Sequence, residues 1–278
     1  MSDMTMMRKI YFFLVLLLML GVVCPDPSAA SFISIEIEAG VELFQNSLRT
    51  SVKVTNKGDE PAENVKTSVE VQGKRTYGKA RRVLGPNEQF TEEFTTPVIF
   101  EKPGRYPVLI SVDYTDANQY PFNALTINYA DYQESPNARV AGSVGTLNLS
   151  GSEKLKVSVK NTDEIERKVL VRLVTSKEFA VQNRLQEIAV SPGDEKKLSF
   201  DVKNTGGLPG STYPVFALII YEDTSYRYLS VASGNIVVMK KGIWHGLKLP
   251  LAILLAVLVS GICLFYLVKL KRSFFTKK

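Results

Sequence analysis

The sequence holds one histidine, His245, and two cysteines, Cys24 and Cys263, and all three lie toward its ends. Between Ser31 and Lys241 there is neither residue. That excludes from this region a disulfide framework, a Ser-His-Asp or Cys-His nucleophile system and a His/Cys zinc site. A fold there rests on core packing alone, and about 210 residues leave room for one large or two ordinary domains. The same region also lacks net charge, with 26 Lys and Arg against 26 Asp and Glu. The formal charge of +6 therefore belongs to the flanks. A nucleic-acid partner, which a basic chain would otherwise suggest, is not expected.

Two long apolar runs stand at the ends. Arg8 and Lys9 precede the run Ile10 to Val23, and Pro25, Pro27 and Ser28-Ala29-Ala30 follow it. This order reads as a secretory signal, 1–30, with cleavage after Ala30. Its 14 apolar residues are short for a spanning helix, which needs about 20, so an uncleaved anchor is the weaker alternative. Cys24 follows Val23 rather than the small residue usual before a lipidated cysteine, which argues against a lipoprotein signal.

Leu249 to Val268 is 20 residues without a charge and reads as a transmembrane helix. Pro250 falls in its first turn, and Trp244 and Tyr266 fall near the two interfaces. Lys269, Lys271, Arg272, Lys277 and Lys278 outnumber Lys240, Lys241 and Lys248 on the near side. The tail 269–278 is therefore expected in the cytoplasm, where its cations meet lipid headgroups, with the preceding bulk exported.

The bulk reads as strands. In Ile33-Ser34-Ile35-Glu36-Ile37-Glu38 the isoleucines share one face and the polar residues the other. Similar runs follow at Arg49 to Asn56, Asn64 to Val71, Gln89 to Thr95, Arg105 to Tyr114 and Pro121 to Tyr129. Turn signals separate them at Asn56-Lys57-Gly58-Asp59, Gly85-Pro86-Asn87 and Pro103-Gly104. Many short strands with regular turns indicate an all-β sandwich or barrel.

The second half repeats the first. Val52-Lys53-Val54-Thr55-Asn56 matches Val157-Ser158-Val159-Lys160-Asn161, and Pro86 matches Pro192. Pro103-Gly104-Arg105-Tyr106-Pro107-Val108 matches Pro209-Gly210-Ser211-Thr212-Tyr213-Pro214-Val215. From Tyr106 and Tyr213 the offset stays at 107 residues, through Tyr114 and Tyr221 to Asp116 and Asp223. One folding unit is duplicated, giving sandwiches at 31–132 and 138–239 joined through the polar stretch Asp131 to Arg139.

A strand ending in Asn-x-Gly, a further strand, and a Pro-Gly turn opening a strand with Tyr and Val resemble the NEW3 and CARDB-like immunoglobulin-fold modules of exported prokaryotic proteins. The resemblance covers roughly Phe32 to Val238. It implies a seven-stranded sandwich in adhesion, scaffolding or carbohydrate-associated roles, and no catalytic residues. The layout of tandem sandwiches on a C-terminal anchor is also similar to surface proteins that hold WxL proteins on cell walls.

Several residues invite a chemical reading. Lys74, Arg75, Lys79, Arg81 and Arg82, with Tyr77 among them, form the densest basic segment. They are the candidate site for an anionic glycan, lipid headgroup or acidic protein, against the plainer reading of a solvated hairpin. Asp113-Tyr114-Thr115-Asp116-Ala117-Asn118 offers oxygen ligands for calcium, but a hairpin turn with local side-chain bonds accounts for it better. Tyr106 and Tyr213 are potential contact residues, although their equivalence in both repeats favours ring packing and a corner hydrogen bond. Carboxylate pairs such as Glu92-Glu93, or Glu36 with Glu38, are the residual route to hydrolysis. Asn148-Leu149-Ser150 is a glycosylation sequon.

The leading expectation is a non-enzymatic, cofactor-free, membrane-tethered binding or scaffold protein, its partner a cell-envelope protein or glycan. The alternative is an accessory subunit of a membrane assembly, with Leu249 to Val268 making the specific contacts.

Overall fold

The computed structural model describes residues 32–240. The expected signal, the apolar run at 249–268 and the basic residues Lys269, Lys271, Arg272, Lys277 and Lys278 lie outside the described residues. Among the described residues all regular structure is strand, and no helix is long and apolar enough to cross a membrane.

The first half carries β1 (Ile35–Phe44), β2 (Ser47–Asn56), β3 (Ala62–Val71), β4 (Lys74–Tyr77), β5 (Arg81–Leu84), β6 (Gln89–Pro97), β7 (Gly104–Thr115) and β8 (Pro121–Tyr132). β1, β2 and β6 form one sheet, while β8, β7 and β3, with β4 and β5 on its edge, form the facing one. Between them lies an apolar core that includes Leu48, Val52, Val54, Val69, Phe94, Tyr106, Val108 and Ile110.

The second half carries β9 (Val140–Val144), β10 (Leu147–Leu149), β11 (Ser152–Asn161), β12 (Arg167–Thr175), β13 (Phe179–Val181), β14 (Leu185–Val190), β15 (Glu195–Asn204), β16 (Thr212–Glu222) and β17 (Arg227–Val238). Its strands run β13-β15-β11-β9 in one sheet and β14-β12-β16-β17, with β10 added parallel to β17, in the other, which one bridge from β17 to β7 joins to the first half as a ten-stranded sheet. A second core, including Leu155, Val157, Val171, Phe179, Phe200 and Ile219, fills the space between them.

The duplication extends to buried polar groups. Asn56 and Asn161 are both fully buried at the ends of β2 and β11. Asn56 Nδ2 donates to the carbonyls of Glu60 and Leu84, and its Oδ1 accepts from Gly58 N. Asn161 Nδ2 donates to the carbonyls of Ile165 and Val190, and its Oδ1 accepts from Asp163 N. Each asparagine satisfies three backbone groups that a turn would otherwise leave buried and unpaired. Asp116 and Asp223 repeat in the same way, each carboxylate accepting two backbone N–H bonds that close the following turn.

Strand directions place the two ends of the described segment together. Phe32 and Ile33 line the same cleft as Leu208 and Pro209, while Gly210 N donates to Val238 O. The first described residues and the end of β17 therefore sit at one pole. β8 runs away from that pole, and the connection from Gln133 to Arg139 turns the chain back, where Arg139 N donates to Tyr221 Oη. The halves lie side by side, folded back on each other, and are not strung end to end.

Replacing Asn161 by alanine strands the Ile165 and Val190 carbonyls in the interior. The expected loss is about 2–4 kcal/mol of unfolding free energy by chemical denaturation, whereas the exposed Asn148→Ala change should stay within about 0.5 kcal/mol.

Candidate functional site

The hairpin joining β3 to β4 turns on Gln72 and Gly73, both with positive φ, the geometry that matches strand twist. Cross-strand pairing then sets Arg75 opposite Glu70 and Tyr77 opposite Ser68, while Lys74 and Thr76 point to the other face. Arg75 Nη2 lies 2.6 Å from Glu70 Oε2. The Arg81 guanidinium sits 4.5 Å from the Phe90 ring centre. Between β4 and β5 the chain wraps a carboxylate: Lys79 N donates to Glu92 Oε1 at 2.6 Å. A Cβ on Gly78 would fall 2.0 Å from Glu92 Oε2, so a side chain there would make that flexible carboxylate shift. The five basic residues are thus divided between two faces of one hairpin. Lys74, Lys79 and Arg82 remain exposed without an ion pair among the described residues.

Tyr106 and Tyr213 are buried, at 5% and 9% exposure. Tyr106 Oη donates to Lys102 O at 2.8 Å, and Tyr213 Oη accepts from Leu208 N at 2.9 Å. Both rings brace the corner before their strand. In the Asp113–Asn118 turn, Asp116 is spent on backbone N–H groups, and Asp113 on Asn123 Nδ2 and Lys177 Nζ. Among the described residues no group of three or more His, Cys, Asp or Glu side chains is gathered as ligands of a metal ion. Glu36 and Glu38 lie on the exposed face of β1, paired with Lys57 and Lys53. Asn148 of the sequon is exposed on β10.

A third group of interacting side chains lies elsewhere, along the seam between the halves. Leu109, Leu125 and Ile127 of β7 and β8 meet Leu170, Val174, Phe216, Leu218, Ile220 and Leu229 of β12, β16 and β17. These residues alternate with those of the two cores and occupy the opposite faces of their strands. A fully buried Leu or Ile stabilises by about 1.5–3 kcal/mol, against 0–1 kcal/mol for an exposed ion pair, so apolar contact decides the docking.

Polar contacts set its register. At one end Lys102 Nζ donates to Asp223 O, Tyr226 Oη donates to Glu134 Oε2, and Arg227 N donates to Pro103 O. There a single parallel bridge pairs Arg227 with Gly104, whose φ is 139°. A Cβ on Gly104 would lie 1.9 Å from Arg227 O, so the close approach of the halves demands glycine. At the other end Tyr120 Oη donates to Gly206 O, and Asn123 N donates to Glu178 Oε1.

Three clefts open along this seam. One of about 570 Å³ lies between Phe32–Ile35 and Leu208–Pro214. A neighbour of about 560 Å³ is lined by Tyr114, Tyr120, Phe122, Lys177 and Glu178. Burial pushes the Tyr114 hydroxyl well above its ordinary pKa, with the Glu178 charge adding to the effect, so it stays protonated.

The third cleft, of about 280 Å³, holds Glu70, Arg75, Arg172, Lys177 and Arg184. Arg172 Nη2 lies 2.9 Å from Glu70 Oε1 while Arg75 takes Oε2. Burial alone would raise the Glu70 carboxyl, but hydrogen bonds from Arg172 and Arg75 outweigh it and hold the group below its ordinary 4.5. Of the five basic residues singled out from sequence, only Arg75 enters this cleft. Arg172, Lys177 and Arg184 come from about a hundred residues further along the chain, and no local pattern marks them.

No family model matches the chain, and no curated protein matches its sequence. Solved structures similar to it include a mutant of Salmonella alpha-2-macroglobulin, at 12% identity and TM-score 0.31. That match covers 74% of this chain and 16% of the macroglobulin chain. Red sea bream transglutaminase is similar at 13% identity and TM-score 0.27, over 78% of this chain and 34% of that one. A protein of unknown function from Porphyromonas gingivalis W83 is similar at 12% identity and TM-score 0.29, over 72% of this chain and 98% of its own. These are distant likenesses among β domains, and no activity is carried over from them.

Glu70 supplies a signed pH dependence. Because its carboxyl is held below 4.5 in the folded state, its contribution is present above that value and is lost as pH falls through the lower folded pKa. Glu70→Gln should cost about 1–2 kcal/mol near neutral pH. The difference from the parent should shrink as pH falls from 4.5 through the lower folded pKa, measured by denaturation across an acid pH series.

Proposed function

We propose that the chain is a non-enzymatic binding or scaffold protein of the cell envelope, held outside the cytoplasm by one transmembrane helix at Leu249–Val268. In this reading residues 1–30 are a cleaved signal and the two halves are tandem immunoglobulin-like sandwiches of the NEW3 and CARDB-like kind. The topology is single-pass type I in the plasma membrane, with the basic tail 269–278 cytoplasmic.

The observation that carries the reading is the meeting of Phe32 and the end of β17 at one pole. Ten residues, Met239 to Lys248, separate β17 from the apolar run. Even fully extended they span at most about 35 Å. The pole that holds both ends therefore faces the bilayer, and a signal removed at Ala30 leaves the new N-terminus on the same side. A ten-residue strand such as β1 rises about 33 Å. The folded-back halves thus stand one sandwich high.

The far pole presents the β1–β2 turn with Phe44, exposed at 66%, and the loop with Ile99, exposed at 78%. Asn46 O accepts from Val98 N and Ile99 O accepts from Gln72 Nε2, which draws both apolar residues to the tip of the basic hairpin. Apolar side chains beside Lys74 suit an envelope partner, while the absence of histidine and cysteine from 32–240 removes the usual nucleophile systems.

Single cysteines test the topology in a full chain whose Cys24 and Cys263 are replaced by serine. Ile99→Cys should react with a membrane-impermeant maleimide on intact cells, and Lys277→Cys only after permeabilisation; the opposite pattern overturns the proposal. Exchanging Leu249–Val268 for an unrelated apolar helix should leave partner association intact, and loss of association would instead favour an accessory subunit that docks through its helix.

A further inference from the structure

The cleft of about 280 Å³ on the seam has an electrostatic imbalance that its own residues do not resolve. Glu70 divides its two oxygens between Arg75 and Arg172, which leaves one positive charge in excess. Lys177 is matched by Asp113 at 2.5 Å. Arg184, on the turn before β14, adds a further cation with no ion-pair partner among the described residues.

The cleft also holds unsatisfied donors. Thr175 and Ser176 line it, and the hydroxyl oxygens of both are buried without a hydrogen-bond partner. Ser176 is 1% exposed. A buried hydroxyl without a partner is costly, and an acceptor from outside the chain, an ion or a water, would satisfy it. Excess guanidinium charge and orphaned O–H donors are complementary to one kind of group, an anion with several acceptor oxygens.

We infer that this cleft binds a small tetrahedral oxyanion, a phosphate- or sulfate-type group. Arg172 and Arg184 offer planar N–H forks to its oxygens, and Ser176 and Thr175 offer hydroxyl donors. The cleft is smaller than the roughly 300–1,000 Å³ of drug-sized sites, which suits an ion or one substituent of a larger molecule. The four donors come from the second half while Glu70 and Arg75 of the first half line the same cleft, so an ion seated there favours the docked arrangement by mass action.

The test is calorimetric titration of the full chain in neutral detergent with inorganic phosphate at constant ionic strength, with chloride as the reference. Saturable heat beyond chloride is expected. Arg184→Ala and Ser176→Ala should each weaken binding by roughly tenfold, as the loss of a charge-assisted or buried hydrogen bond does. Lys154→Ala, on the outer sheet, should leave it unchanged.

The Arg184 variant keeps the bond from Leu173 N to the residue-184 carbonyl, and an unaltered denaturation midpoint certifies its fold. A monosaccharide phosphate ester forms a second arm. Tighter binding of the ester assigns the group to a larger ligand, tighter binding of inorganic phosphate assigns it to the free ion, and both support the site. A phosphate titration identical to chloride, or full affinity in both Arg184→Ala and Ser176→Ala, overturns it. The membrane topology is read by a separate experiment, so failure of either proposal leaves the other distinguishable.

Discussion

Strand β16 is apolar on both faces, and much of the rest of the structure depends on that. A sandwich strand ordinarily turns one face to a core and the other to water. Here Val215, Ala217, Ile219 and Tyr221 enter the core of the second half, while Phe216, Leu218 and Ile220 emerge on the opposite side. Left exposed, that second face would be a patch of the kind soluble surfaces avoid. Covering it with Leu109, Leu125 and Ile127 forces the chain to fold back after β8. Once it folds back, both ends of the described chain arrive at one pole, and the clefts along the seam follow as the places where two curved sheets fail to fill the space between them.

Duplication explains how such an interface is built from one unit. The elements that hold each half to itself are the same in both: the buried asparagine, the corner tyrosine and the aspartate that closes the turn at Asp116 or Asp223. The elements that hold the halves to each other differ. Glu70 in β3 accepts from Arg172 in β12 across 102 residues of sequence, and Asp113 accepts from Lys177. Complementary charges at positions that are not equivalent in the repeat make the contact directional, since a half docked on its own copy would lack one partner of each pair.

Repetition and alternation were legible along the chain because they are local. Period-2 patterning, the Asn-Lys-Gly-Asp and Pro-Gly turns and the constant offset of 107 residues indicate an all-β chain with repeated turn and brace residues. The structure places strands over each segment so read, with the short β4 and β5 added on the edge of β3. The seam also left a trace: Val215-Phe216-Ala217-Leu218-Ile219-Ile220-Tyr221 is a continuous apolar run, the pattern of a strand buried on both faces. Its partner surface left none, because Leu109 and Ile127 stand singly among residues that already fit a one-sided strand.

The cations show the same limit from the other side. Lys74, Arg75, Lys79, Arg81 and Arg82 are neighbours in sequence, yet strand alternation sends them to two faces of a hairpin, one to Glu70 and another onto Phe90. The cations that do converge, Arg75, Arg172, Lys177 and Arg184, are scattered in sequence and meet only after the halves dock. Sequence alone determined the strand character, the internal repeat and the charge balance, since each is set by neighbouring residues and by composition. Tertiary structure alone decided which outward faces meet, where the ends lie and which charges share a cleft, because those depend on burying a second apolar face against residues about a hundred positions away.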